Sequence, residues 1–577
     1  MRQPAEGLAV AAGTSVVAAI AAKGLAVAAV PSTVWTEYLW CWWDDVAVGL
    51  GFALVVTLAP PWMRKLSCAG FVAYAAINAL FVRALGSPIV ASMVRGFDPA
   101  MGDSAALYLS AANGCAVLLV VASALAGARL CRNVAVSRRQ LACGGLVVAA
   151  LCVLLPAPSH PAHRNAWVAL ARSLLPRVPA KSQATELRVQ IPATGTMLAA
   201  SEAAPLRELA GALRGRNVVM VVLESAAARF VDAADKPMPF LAELGDAGLR
   251  FHNAYAVFPE SIEGQVPIFC ALPPMPDAEP ADYARHAAFS LPRRLAPLGY
   301  ESGLFHAGHF RFLGMQQVIG PMGFHVLADS TTIGGERASS FGIDEEATVD
   351  ALLRWVAALP LRQRFLACYL PIAGHHPYSS PSGGPFPTDT QLGCYKNALH
   401  YADRSLRRLW LGLTKLRPAE DLLLCVVGDH GQAFGEHAGN FGHSFELYEE
   451  NLRVPLVFHA PGSALTGKAS DAVCSHLDVV PTLLDLLGVP QPTSLLARPL
   501  EGGSMHAFTD WGELLVAKRE GRWKLIHEVQ TGRDRLFDLV ADPGEHLNVL
   551  SRPDLTQRLR DEALLFLAHT RSDARRP

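Results

Sequence analysis

The sequence carries almost no net charge: 50 Lys and Arg residues are set against 51 Asp and Glu, a formal charge of −1 across 577 residues. Polyphosphate binding relies on a basic excess, so nucleic acid is excluded as the main partner. Paired cysteines are missing as well. The eleven cysteines include no C-x-x-C pair and follow no regular spacing, which excludes a zinc knuckle and a disulfide framework. Six of them lie at or before Cys152, where a small side chain is at home in a bilayer. Internal repeats and long low-complexity tracts are also absent from the sequence.

Apolar residues are what it has in excess: 51% of the chain, with a mean hydropathy of +0.25, concentrated in the first 156 residues. Stretches at 7–30, 46–62, 66–82, 105–128 and 141–156 approach the roughly 20 residues that a spanning helix needs. They predict a membrane region of about five helices over 1–156, although Lys23 interrupts the first stretch and the fifth is short. A cleaved signal peptide at the first stretch would still leave the later ones in place. Arg2, Arg64, Lys65 and the group Arg129, Arg132, Arg138 and Arg139 fall on one side of a five-pass arrangement. The other side holds Glu37, Asp44 and Asp45 with only Arg83 and Arg95. Cytoplasmic loops collect Lys and Arg, so the expectation is a multi-pass cell-membrane protein with everything after residue 156 extracytoplasmic. Trp35, Trp40, Trp42 and Trp43 cluster at the outer end, as an interfacial aromatic belt would. Residues 157–215, broken by Pro158, Pro161, Pro176, Pro179 and Pro192, read as a juxtamembrane connector.

From Asn217 onward short apolar runs alternate with amphipathic stretches, the pattern of an open α/β sheet. The runs 218–223, 365–370 and 422–427 are each followed by residues capable of chemistry. Ligands of such sheets bind beyond the carboxyl ends of the strands, so the three ends are expected to converge. The first run ends at Glu224-Ser225, where Glu224 is either a hard metal ligand or a helix N-terminal acid favoured by the dipole. The third stops abruptly at Asp429-His430, which reads as two metal ligands; the alternatives are a turn Asp and a partly buried His. Gly428, Gly431 and Gly435 permit close backbone approach to a ligand. His306 and His309 are candidates for substrate contact or ordinary loop histidines, and His437 for the metal's surroundings or a structural hydrogen bond. Arg229, Cys270 and Asp478 read more simply as a solvated helix Arg, a core thiol and a helix cap.

The order of motifs is specific. Leu223-Glu224-Ser225, Pro259-Glu260-Ser261, Gly374-His375-His376-Pro377-Tyr378, Gly428-Asp429-His430, Gly442-His443 and the tail Asp542-Pro543-Gly544-Glu545 resemble the sulfatase and alkaline phosphatase superfamily over about 217–550. Behind the helical transmembrane bundle (1–156) and connector (157–215) read from hydropathy, the resemblance implies an α/β sulfatase/alkaline-phosphatase-like catalytic domain (216–490) and a small C-terminal subdomain (491–577). It also implies a nucleophile at Ser261. One divalent cation would be held by Glu224, Asp429 and His430 with the Ser261 oxygen as a further ligand, and His375 and His443 would contact the transferred group or the leaving oxygen. Oxygen and nitrogen donors together are compatible with Mn, Mg, Zn or Ca. A cation lowers the pKa of a coordinated hydroxyl and polarises the ester oxygen, which gives one serine among acids a chemical purpose.

Two departures narrow the expectation. Sulfatases that form an aldehyde carry Cys or Ser, any residue, Pro or Ala, any residue, then Arg; this chain has Ser261-Ile262-Glu263-Gly264-Gln265. Those enzymes commonly begin with paired aspartates, whereas Ser225 follows Glu224 here. An unmodified serine behind membrane spans is similar to lipoteichoic acid synthases and phosphoethanolamine transferases, which usually carry a threonine instead. The expected function is metal-dependent hydrolysis or transfer at a phosphate or sulfate ester of a lipid or glycan, with phospho-alcohol transfer favoured. A membrane sulfatase and an inactive relative that binds an anionic ligand are the alternatives.

Overall fold

The computed structural model describes residues 3–29, 41–95, 106, 108–154, 163–174, 209–381, 383–490, 503–549 and 551–574. They belong to two compact units, one drawn from residues 1–97, 105–176 and 435–441, the other from 98–104, 177–434 and 442–577.

The first unit is helical: α1 (Gln3–Ala29), α2 (Trp43–Val56), α3 (Pro61–Leu85), α4 (Ala111–Leu130) and α5 (Arg138–Leu154). Small residues let these helices approach closely. A Cβ on Gly13 would come within 2.6 Å of the Gly127 carbonyl oxygen, and Ser15 Oγ donates to Gly49 O at 2.8 Å. Among the described residues, three helical segments are long and apolar enough to cross a membrane: Gly7–Ala29, Pro61–Leu85 and Ala111–Leu130. Three of the five expected passes meet this criterion among the described residues. Pro60-Pro61 separates α2 from α3, so α2 has only 14 residues and α5 only 17, about 21 and 26 Å of helix against a hydrocarbon core of about 30 Å. Lys23 is buried rather than disruptive. Its ammonium donates to the carbonyls of Cys41 and His163, both at 2.7 Å, and lies 2.8 Å from carboxylate oxygens of Asp44 and Asp45. Arg2, Trp35, Glu37, Trp40 and most of the connector 157–215 lie outside the described residues.

The second unit is built on an eight-stranded sheet: β1 (Asn217–Leu223), β2 (Leu249–Tyr255), β3 (Tyr300–His306), β4 (Val326–Ala328), β5 (Arg364–Leu370), β6 (Leu422–Gly428), β7 (Arg453–His459) and β8 (Lys468–Ser475). The strand order is β8-β2-β7-β6-β1-β5-β3-β4, and only β7 runs antiparallel to its neighbours. Every residue of β1 is buried, Val218, Met220 and Val222 against one face and Val219, Val221 and Leu223 against the other. A strand covered on both faces reads as a continuous apolar run, which is why the three runs above are the three central neighbours β6, β1 and β5. The topology brings the carboxyl ends of β1, β2, β3, β5 and β6 to one edge of the sheet.

A smaller antiparallel sheet follows: β9 (Ser504–Thr509), β10 (Leu515–Glu520), β11 (Trp523–Glu528) and β12 (Arg533–Asp538), crossed by the C-terminal helix Pro553–Ala574. It is fastened to the main core where Phe508 N donates to Val257 O at 3.0 Å. A second attachment is ionic. Lys524, fully buried, lies 3.0 Å from Glu449 Oε1 and 2.9 Å from Glu545 Oε1, and Glu545 Oε2 accepts the N–H of Glu449 at 2.6 Å.

Candidate metal centre and reaction pocket

β1 and β6 are parallel neighbours with Leu223 opposite Gly428, so the next residues, Glu224 and Asp429, leave the sheet side by side. One donor atom from each of Glu224, Asp429 and His430 lies within 4.8 Å of the others. His430 Nε2 stands 3.8 Å from Glu224 Oε1 and 3.6 Å from Asp429 Oδ2. Asp429 Oδ1 accepts the N–H groups of Ser225 at 2.8 Å and His430 at 2.7 Å, which fixes the carboxylate and leaves Oδ2 facing the imidazole. His430 Nδ1 lies 2.9 Å from Gly431 O; donating there leaves Nε2 bare, the tautomer that a metal ligand requires.

Ser261 arrives from the loop after β2 as the first residue of α6 (Ser261–Cys270), whose preceding residue Glu260 caps the helix by accepting from Ile262 N at 3.0 Å. Its Oγ is 3.1 and 3.2 Å from the two Glu224 oxygens and 3.1 Å from His430 Nε2. A helix N-terminus favours negative charge at that oxygen. The His443 ring stacks on His430 with centroids 3.9 Å apart, and its Nδ1 lies 2.9 Å from Pro259 O. His375, on the loop after β5, stands 6.5 Å from His443 by ring centroids. All six residues singled out from the sequence thus meet at one sheet edge.

Backbone packing holds this arrangement. A Cβ on Gly374 would sit 1.9 Å from Glu224 O, so the loop carrying His375 can approach β1 only because that residue is glycine. Ser225, at φ 52°, holds a left-handed conformation that costs a non-glycine residue about 1 kcal/mol or more. Near Asp429, Gly428 and Gly431 make room for the carbonyls of Ala226 and Glu450.

Burial pushes the carboxyls of Glu224 and Asp429 up to about 7, Glu224 also through the neighbouring charge of Asp429. Burial raises Glu260 too and lowers His430. No Lys or Arg is among the described residues that line the pocket to balance these acids. Hard oxygen donors, one imidazole and buried unbalanced carboxyls fit a single divalent cation.

His306 and His309 both line the pocket; burial takes the His306 imidazole down to about 4, and His309 Nδ1 lies 2.6 Å from Ser330 Oγ. Arg229 instead donates to Gln432 O at 3.1 Å, Cys270 is core, and Asp478 caps by accepting Ser475 N at 2.7 Å. Sequence reasoning missed Gln265, Phe312, Met315 and Phe341, which also line the pocket. Phe341 comes from the short hairpin Arg337–Ser339 and Gly342–Ile343 and lies 4.0 Å from the His375 ring by centroids. No periodicity marks a two-residue strand, whereas Gln265 was visible as the fourth residue after Ser261.

The family model described as Sulfatase matches residues 216–489. This part of the chain has the sulfatase and alkaline phosphatase superfamily fold. Among its relatives, the choline-sulfatase of Rhizobium meliloti is 32% identical over 27% of this chain and 32% of its own length. The arylsulfatase of Clostridium perfringens is 26% identical over 29% of this chain and 37% of its own length. The chain thus spans about a third of the length of these curated relatives. The crystal structure of the lipoteichoic acid synthase LtaP from Listeria monocytogenes shares the superfamily fold, with a TM-score of 0.51 at 18% identity, covering 68% of this chain and 98% of that one.

Proposed function

We propose that this protein is a membrane-anchored, metal-dependent enzyme that cleaves a sulfate or phosphate ester with Ser261 as nucleophile. The observation that carries the reading is the position of Ser261 Oγ, at a helix N-terminus and within 3.2 Å of both Glu224 and His430. Glu224, Asp429 and His430 would hold the cation, with Ser261 Oγ as a further ligand. When bound, the cation supplies Lewis-acid polarisation of the ester oxygen and a lowered hydroxyl pKa. Ser261 releases its proton to solvent and its oxygen bonds to sulfur or phosphorus while the bond to the ester oxygen breaks; the proton that the alkoxide takes up comes from a protonated His375. His375 and His443 face the transferred group. Water then resolves the seryl ester in a hydrolase; an acceptor alcohol does so in a transferase.

The matched relatives weigh the substrate toward sulfate esters, as in the choline-sulfatase and arylsulfatase, and reverse the order in which the sequence alone ranked the two chemistries. Phosphoryl transfer is the second reading, and a specific observation favours it: buried Gln265 stands where the aldehyde-forming motif has Arg, consistent with Ser261 remaining a plain serine. The substrate is then a lipid- or glycan-linked ester at a membrane, with the catalytic domain (216–490) and C-terminal subdomain (491–577) outside the cytoplasm behind the membrane region (1–156) and connector (157–215). The test is turnover of 4-nitrophenyl sulfate and bis(4-nitrophenyl) phosphate by wild type and by Ser261→Ala, with peptide mass analysis around residue 261. Ser261→Ala is expected to abolish turnover with metal content retained. Unchanged turnover would refute the nucleophile, and a formylglycine mass at 261 would remove the second reading.

A further inference from the structure

The pocket that receives the ester has a chemically lopsided wall. Phe312, Met315, Phe341 and Ile372 line it together with the carboxylates. The two phenylalanine rings meet edge to face at a centroid distance of 5.3 Å. Apart from His306, His309, His375 and the Ser261 hydroxyl, the polar side chains that line the pocket are the carboxyls and the amide of Gln265. Gln265 is 3% exposed, and its Nε2 donates to Ser261 O at 3.0 Å. That bond orients the amide, so Oε1 is the atom left over, and it has no partner. Glu260, at 4% exposure, lines the same pocket. The described pocket-lining residues include neither Lys nor Arg.

We propose that this wall selects the alcohol half of the substrate: the ester carries one negative charge at the reacting group, and its alcohol is apolar or cationic with no second anionic group. The inference rests on the ester-cleaving reading above and deepens it. A bound cation and the histidines offset the charge of the reacting group. A second anion on the alcohol would enter a site with Glu260, the unpaired Gln265 Oε1 and aromatic faces, where it finds no counter-charge and loses its water. An aliphatic or aromatic alcohol packs on Phe312, Met315 and Phe341, and a quaternary ammonium gains from the ring faces. Long polyanionic glycans are disfavoured by the same wall.

The experiment compares kcat/KM of the full-length, detergent-solubilised protein on 4-nitrophenyl sulfate and on the same ester bearing a ring carboxylate. The parallel pair is bis(4-nitrophenyl) phosphate and 4-nitrophenyl phosphate. Within each pair the substrate without the extra charge is expected to be favoured by about tenfold or more. Met315→Lys is expected to bring the ratio toward unity, and Gln265→Met to leave it on the same side. Equal or better use of the doubly charged member by wild type overturns the inference, and this readout does not depend on any variant folding. Where turnover occurs and Ser261→Ala abolishes it, the ester-cleaving reading stands whatever the ratio. Failure to turn over any of the four esters counts against that reading and takes the inference with it.

Discussion

Glu345 offers a test of how the loop bearing His375 is held. It is the first residue of the helix Glu345–Ala358, is 1% exposed, and accepts three hydrogen bonds: from Ile372 N and Ala373 N at 2.8 Å each, and from Tyr369 Oη at 2.6 Å. Burial dominates those bonds and pushes its carboxyl from 4.5 up to about 7. The folded protein therefore keeps this proton up to about pH 7, whereas the unfolded chain releases it near 4.5. Between those values the folded state binds more protons, so stability falls as pH rises. The full loss is roughly 3 kcal/mol at 1.36 kcal/mol per pH unit. Glu345→Gln keeps an acceptor for the two N–H groups and never ionises. Its stability should match wild type below pH 4.5 and exceed it by an amount that grows up to pH 7 and then levels off. Glu345→Ala strips the acceptor from three buried donors and should cost about 3 kcal/mol or more at every pH, with kcat falling as the loop under His375 relaxes. Denaturant unfolding of the full chain across that pH range measures both. A difference between Gln and wild type that does not change with pH, or an Ala variant within about 1 kcal/mol of wild type, would refute the reasoning.

Asp429→Asn, which preserves shape but removes a charge from the cation site, should weaken divalent-metal binding by about tenfold or more, read by calorimetric titration of metal into chelator-stripped protein. Chelation itself should abolish ester turnover in wild type, with recovery on adding the metal back. Lys524→Met leaves Glu449 and Glu545 buried without their cation and should destabilise the second unit by about 3–5 kcal/mol; pairing it with Glu545→Leu should recover much of that loss in unfolding measurements. Lys23→Met strands Asp44 and Asp45 in the helical unit and should lower the folded fraction recovered in detergent by size-exclusion chromatography, whereas Lys23→Arg should keep more of it.

What was legible in the sequence followed from the way burial acts on it. A strand covered on both faces must be apolar throughout, so its end shows as a sudden acid, and Glu224 and Asp429 were found as the points where such runs stop. Ser261 carried no such mark: it is 37 residues from Glu224, and only the return of the chain through β2 closes that gap. Resemblance supplied it. Pro60-Pro61 was in plain view, yet hydropathy averaged across the break, and only the helix bounds show that the apolar stretch before it ends there. The glycines around Asp429 show a deeper limit. Close approach is what glycine permits, but whether the approaching group is a ligand or a neighbouring carbonyl depends on which strand lies alongside, and that is a property of topology. The tail motif teaches the converse. Asp542-Pro543-Gly544-Glu545 was readable only as a family likeness, whereas in the folded chain Glu545 accepts the Glu449 N–H and balances buried Lys524. The tail motif is thus explained by the charge that the C-terminal sheet must bury to stay attached.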